Sequence, residues 1–310
     1  MSYKLLTYQA EGGTPQAGIL VGNQVFDVAA VTGVPAYAVV LDILSDWDSA
    51  AEVLKGVAKK IEADKLSGIP LERVELLAPV LYPGAIYCAG ANYYGHVREM
   101  MNLMKMPSDL DPRDLVGPQP WHFIKTARSS VVGHGAKVAV PANTAKFDWE
   151  AELVAVIGRT AKNVSLENAL DYIAGYTISN DLSARDLGKR EGVPEFSPFR
   201  FDWVGQKCFD GGLPVGPWIT PADEIPDPEQ LAIKLWVNDV IKQDSMTSDI
   251  IYGVAEQIAF LSSRVTLYPG DMIVTGTPAG VGTARNEFLK AGDKVRIFVE
   301  KIGELSHSVI

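Results

Sequence analysis

The chain has 310 residues, 47% of them hydrophobic and 21% charged, which is ordinary globular usage and excludes disordered and collagen-like classes. A formal charge of -10 excludes a broad phosphate-binding surface and hence nucleic acid, because such binders need clustered Lys and Arg. It does not exclude a small anionic substrate, since a metal ion or a few local cations can reverse the field inside one pocket.

Met1 to Ala10 lacks the pattern of a signal or transit peptide. The longest apolar run, Ala29 to Val40, is broken by Gly33 and Pro35 and falls short of the ~20 residues that span a bilayer. A cytoplasmic protein with no membrane partner is therefore expected. Residues 3–28 read as a small β-meander, with turn signals at Gly12-Gly13 and Gly22-Asn23. Val40, Ile43, Leu44, Trp47, Ala51 and Leu54 recur at helical spacing and predict one or two helices over 40–63. The proline-rich stretch from Ile69 to Ile86 marks a crossover, dividing a small α+β domain over 1–75 from a second domain over 76–310.

Residues 86–93 read as a strand entering a glycine turn, and 94–105 as a helix. Residues 107–120 hold four prolines and three aspartates and predict a mobile loop, a lid candidate. Beyond it, strand-like runs at 121–125, 137–141, 152–158, 234–241, 271–276 and 294–303 outnumber helical ones at 166–173 and 251–263. The expected fold class is mixed α/β but β-rich, without regular βαβ alternation. Cys88 and Cys208 have no partners at metal-ligand spacing and read as buried small hydrophobes.

Three segments carry candidate chemistry. In Phe147-Asp148-Trp149-Glu150-Ala151-Glu152-Leu153, strand alternation points Glu150 and Glu152 to one face. Either one carboxylate stays protonated, or a hard divalent cation sits between them, or the face is solvated. Asp181, ending another strand-like run, would complete an all-oxygen set suited to Mg²⁺ or Mn²⁺. His96 and Glu99, three apart at a helix start, can face each other, as a water-activating base requires; a plain surface pair is the alternative. Thr275-Gly276-Thr277-Pro278-Ala279-Gly280 lets backbone N–H groups approach an anion or carbonyl, yet lacks a P-loop ending. Arg185 and Lys207 are two further cations, His122, His134 and His307 read as structural, and no Gly-x-Ser-x-Gly occurs.

Taken in order, these segments resemble the fumarylacetoacetate hydrolase family over about residues 80–305. The motifs are Gly90-x-Asn92-Tyr93-x-x-His96-x-x-Glu99, Phe123-x-Lys125, Asp148-Trp149-Glu150-x-Glu152, Asn180-Asp181-x-Ser-Ala-Arg185-Asp186, Lys207-x-Phe209 and Pro269-Gly270-Asp271 through Gly282. The resemblance implies a β-sandwich-roll catalytic domain behind a small N-terminal module, a homodimer, and one Mg²⁺ or Mn²⁺ on Glu150, Glu152 and Asp181. It implies catalytic roles for His96, Glu99 and Lys207, and substrate contacts from Tyr93, Lys125, Arg185, Gly276 and Thr277. Family substrates are small 2-oxo acids and 1,3-dicarbonyl compounds, often from aromatic catabolism, and the shared step is an enolate held on the metal. The expected function is hydrolysis of a C–C bond in an acylpyruvate-type acid. Decarboxylation, isomerisation or tautomerisation at the same site is the alternative, and a silent metal-binding scaffold a third. Thr126 stands where family members commonly carry proline, which sets Lys125 apart, and Arg190 and Arg200 are candidate partners for a second substrate carboxylate.

Overall fold

A computed structural model of the chain describes residues 2–310. The meander near the start forms strands β1 (Lys4–Gln9), β2 (Gln16–Val21) and β3 (Gln24–Asp27), with Gly12 and Gly22 at positive φ in the two turns. After shorter helical turns, helix α1 (Trp47–Ala63) buries Trp47, Ala50, Leu54, Ala58 and Ile61 along one stripe. Strand β4 (Ile86–Ala89), helix α2 (Tyr94–Leu103) and strand β5 (His122–Ile124) follow, then β6 (Ala151–Ile157) and β7 (Ile173–Asn180). A short helix α3 (Trp203–Lys207) leads into β8 (Leu213–Pro221). The chain then forms β9 (Ala232–Val237), β10 (Val240–Met246), α4 (Val254–Arg264), β11 (Met272–Val274), β12 (Lys294–Val299) and β13 (Gly303–Val309).

The larger sheet runs β3-β2-β1-β8-β7-β6-β11-β4-β5 and the smaller one β10-β9-β12-β13, each with short edge pieces. A strand that is buried at every position must be covered on both faces, and β6, apolar from Leu153 to Ile157, meets that demand. Leu153, Ala155 and Ile157 join one core with Ile178, Ile233, Leu235, Ile297 and Leu305. Val154 and Val156 face a second core with Leu5, Ile19, Ile43, Trp47, Ile219 and Val274. The N-terminal residues thus help build that second core. Strand β1 pairs antiparallel with β8, Leu5 opposite Ile219, so the sheet runs on across the crossover near residue 75.

Several local expectations change. The run 234–241 is a hairpin rather than one strand, because Asn238 and Asp239 both take positive φ, the geometry of a two-residue turn. Residues 166–172 form 3₁₀ turns, and Pro112–Val116 is helical within the loop 107–120, capped by the Asp111 side chain. Strand β8 is unexpected, since Pro214, Pro217 and Pro221 argue against a central strand. Its register with β7 shifts between Tyr176 and Ile178, and Pro217 falls in that break, where no ladder N–H is required. Cys88 is fully buried, as read, but Cys208 is only part-buried. No helix among the described residues is long and apolar enough to cross a membrane.

Candidate active site

Antiparallel pairing sets Ala151 of β6 against Asn180 of β7. The residues just beyond that rung, Glu150 and Asp181, therefore meet, and the Asp181 N–H donates to the Glu150 carbonyl at 2.9 Å. Alternation brings Glu152 to the same side as Glu150. All three acids are at most 5% exposed, and they present oxygens within 4.8 Å of one another.

Buried carboxylates need compensation, and three cations supply part of it. Lys207 closes α3 and donates to Glu150 at 2.6 Å and to Asp181 at 2.8 Å. Lys125, just past β5, reaches Asp181 at 2.5 Å and the Leu182 carbonyl at 2.9 Å. Arg185 spans Glu150 at 2.5 Å and Asp148 at 2.9 Å. Glu152 instead accepts the Gly276 N–H at 2.5 Å. The two glutamates consequently diverge. Burial works to raise both, but Arg185 and Lys207 outweigh it at Glu150 and hold that carboxyl down to about 2. At Glu152, Asp181 and Glu150 add to burial and push the carboxyl well above the usual range.

This donor set fits a hard divalent cation such as Mg²⁺ or Mn²⁺, because it is all oxygen, buried and short of positive charge at Glu152. Binding must then displace the Glu152 proton. Mn²⁺ affinity is expected to rise with pH, by up to about tenfold per pH unit over the range in which Glu152 holds its proton, with about one proton released per ion. Calorimetry in buffers of different ionisation enthalpy checks both; an affinity flat in pH would contradict a protonated Glu152.

A pocket of about 180 Å³ opens onto two of the acids, Glu150 and Glu152. Glu150, Glu152, Arg185, Lys207, Thr277 and His96 line it, and Trp121, Phe123 and Trp203 form its apolar wall. His96 is buried on α2, and its Nδ1 has no hydrogen-bond partner among the described residues. Glu99 Oε2 lies 4.0 Å away and accepts the Gly280 N–H at 2.9 Å, so the two side chains are close without being bonded. Burial favours the neutral Glu99 carboxyl, but His96 and the Gly280 N–H outweigh it and hold it below the ordinary value.

Other anticipated residues sit differently. Gly276 spends its N–H on Glu152, and its φ of 106° keeps the position for glycine, since a Cβ there would lie 2.8 Å from Asn92 Cβ. Thr277 reaches the pocket while its hydroxyl donates to the Ala151 carbonyl. Tyr93 is fully buried behind Gly276 rather than on the pocket wall, and Lys125 stands behind Asp181. Arg190 and Arg200 point elsewhere, to the Phe199 carbonyl and to Glu195. Unanticipated partners are Asp148, which also accepts the Gly282 and Thr283 N–H groups, and Gln243, which ties Ala151 to Thr277. Asn180 holds the Glu150 N–H through Oδ1, so its Nδ2 donates to His307 Nε2. Burial pushes His307 down to about 4, leaving it neutral and able to accept.

Fold and site together define a β-rich enzyme around a buried, all-carboxylate centre for a divalent cation. The chain belongs to the fumarylacetoacetate hydrolase family: the family model for the fumarylacetoacetate (FAA) hydrolase C-terminal domain matches residues 85–310. Among curated relatives, a human mitochondrial oxaloacetate tautomerase is 36% identical over 262 residues, covering 84% of this chain and 77% of the relative. Among solved structures, maleylpyruvate hydrolase from Sphingobium sp. SYK-6, in complex with manganese(II) and pyruvate, is 31% identical with a TM-score of 0.73, covering 99% of this chain and 98% of that one. The 2-hydroxyhepta-2,4-diene-1,7-dioate isomerase from Mycobacterium marinum is 30% identical with a TM-score of 0.70, covering 99% and 98%.

Proposed function

We propose that the protein is a Mg²⁺- or Mn²⁺-dependent hydrolase that cleaves a C–C bond of an acylpyruvate-type or other β-dicarbonyl 2-oxo acid. The observation that carries this reading is a buried histidine opening onto the same pocket as Glu150 and Glu152 of the carboxylate triad. Glu150, Glu152 and Asp181 hold the cation, which when bound supplies Lewis acidity to the 2-oxo acid head. Lys207, already bridging two of the acids, balances negative charge growing on the substrate. His96 takes a proton from water at Nε2, while Glu99, 4.0 Å from Nδ1, steadies the resulting imidazolium. The water oxygen adds to the acyl carbonyl, the bond to the pyruvyl carbon breaks, and the electron pair leaves on the pyruvate enol. A carboxylic acid and pyruvate result.

Arg185 and Lys125 are positioning residues, holding Glu150 and Asp181 rather than substrate. Gly276 acts the same way on Glu152, and Tyr93 backs the Gly276 turn. Residues 76–310 form the catalytic unit, with 1–75 as a brace, in a cytoplasmic homodimer serving aromatic catabolism. Phe196, Phe199 and Val204, 91%, 73% and 69% exposed, support a covered surface in that dimer. A second reading, tautomerisation, isomerisation or decarboxylation at the same site, draws support from the human relative's activity and the unbonded His96–Glu99 pair.

Acetylpyruvate, fumarylpyruvate, oxaloacetate and a 2-hydroxymuconate-type diacid, each assayed with Mg²⁺, with Mn²⁺ and with EDTA, separate the two. EDTA-sensitive release of pyruvate plus an acid is expected. Carbon dioxide, or only a shifted double bond, would replace the hydrolase with the second reading.

A further inference from the structure

A second chamber of about 310 Å³ adjoins the carboxylate pocket and shares Gly90, Ala91, His96 and Trp121 with it. Its chemistry is the opposite. Met100, Met104, Met106, Leu115 and Val116 supply most of the wall, and no Lys, Arg, Asp or Glu lines it among the described residues. The arrangement follows from helix spacing: His96, Met100 and Met104 recur every four residues and so share one face of α2 and its C-terminal cap. The loop 107–120 closes the far side, where Met106, Leu110 and Val116 pack on Val97, Met101 and Tyr252. Arg113, the one cation of that loop, is committed to the Ile251 carbonyl, to Glu256 and to the Tyr252 ring.

His96 therefore stands at the boundary between a charged chamber and an apolar one. We infer that the substrate is divided the same way, with a 2-oxo acid head among the carboxylates and an apolar acyl group of several carbons among the methionines. This assignment rests on the hydrolase reading for the position of the cleaved bond, which falls beside His96. A second carboxylate on the tail would find no cation in the methionine chamber. Methionine suits such a wall because its unbranched, polarizable side chain adapts to chain or ring alike.

The test measures binding by calorimetry to the Mg²⁺-loaded protein, with 2-oxobutanoate, 2-oxooctanoate and 2-oxoadipate as short, apolar and carboxylate tails on one head. A buried methylene is worth about fourfold in affinity, so 2-oxooctanoate is expected to bind at least about tenfold tighter than 2-oxobutanoate, with 2-oxoadipate gaining nothing. Met104→Glu, at a 67% exposed position, and Met100→Gln should each erase most of that gain. No gain with chain length, no binding by any of the three, or tightest binding of 2-oxoadipate overturns the assignment. Acylpyruvate turnover is scored separately. A tail preference without pyruvate release sinks the hydrolase reading alone, and release of pyruvate without a tail preference sinks the apolar chamber alone.

Discussion

His96→Ala is expected to lower turnover by about 10²- to 10⁴-fold while leaving Mn²⁺ affinity and the unfolding midpoint within error of the unsubstituted protein. The kinetic loss follows from the pocket: His96 is the one imidazole among the side chains lining it, and imidazole is the commonest general base for taking a proton from water. The silence in stability follows from the surroundings. His96 Nδ1 already lacks a partner, so truncation orphans nothing, and Glu99 keeps its Gly280 N–H. Alanine also favours the helix that carries the position. Steady-state kinetics with acetylpyruvate, Mn²⁺ calorimetry and thermal unfolding check the three parts. Turnover within about tenfold of the original would mean that no water-activating base operates, as in a tautomerase.

How much of this was legible in the sequence depended on whether neighbours in the chain are neighbours in the site. Glu150 and Glu152 could be paired because strand alternation is a local rule, and β6 could be read as buried because its apolar run is unbroken. Residues that act across the fold gave weaker signals. Asp148 belongs to the same motif, yet its partners Arg185 and the Gly282 turn lie 37 and 134 residues away in sequence. Gln243 is the one buried position of a largely solvated strand, and nothing local marks it as the tie between β6 and Thr277. Strand β8 was hidden by its prolines, which a register break accommodates. Arg190 and Arg200 looked like substrate anchors from charge alone, but the neighbouring Phe199 and Glu195 engage them first. Charge composition cannot tell a committed cation from an available one.

The same asymmetry of commitment separates the two glutamates in experiment. Glu150→Gln and Glu152→Gln should each weaken Mn²⁺ binding by more than about 100-fold, the upper end of what even a supporting residue costs at a metal centre. Only Glu150→Gln should also destabilise the metal-free protein, by up to about 3 kcal/mol. Glu150 is the shared acceptor of Arg185 and Lys207, both buried or nearly so, and its neutral replacement leaves two cations with less charge to face. Glutamine at 152 keeps an oxygen for the Gly276 N–H and replaces a carboxyl that burial, Asp181 and Glu150 push toward its neutral form, so metal-free stability should change little. Denaturant unfolding in EDTA beside Mn²⁺ calorimetry measures both quantities. Undiminished Mn²⁺ affinity in either variant would remove that residue from the ligand set, and equal destabilisation of the two would mean that Glu152 is ionised before any metal arrives.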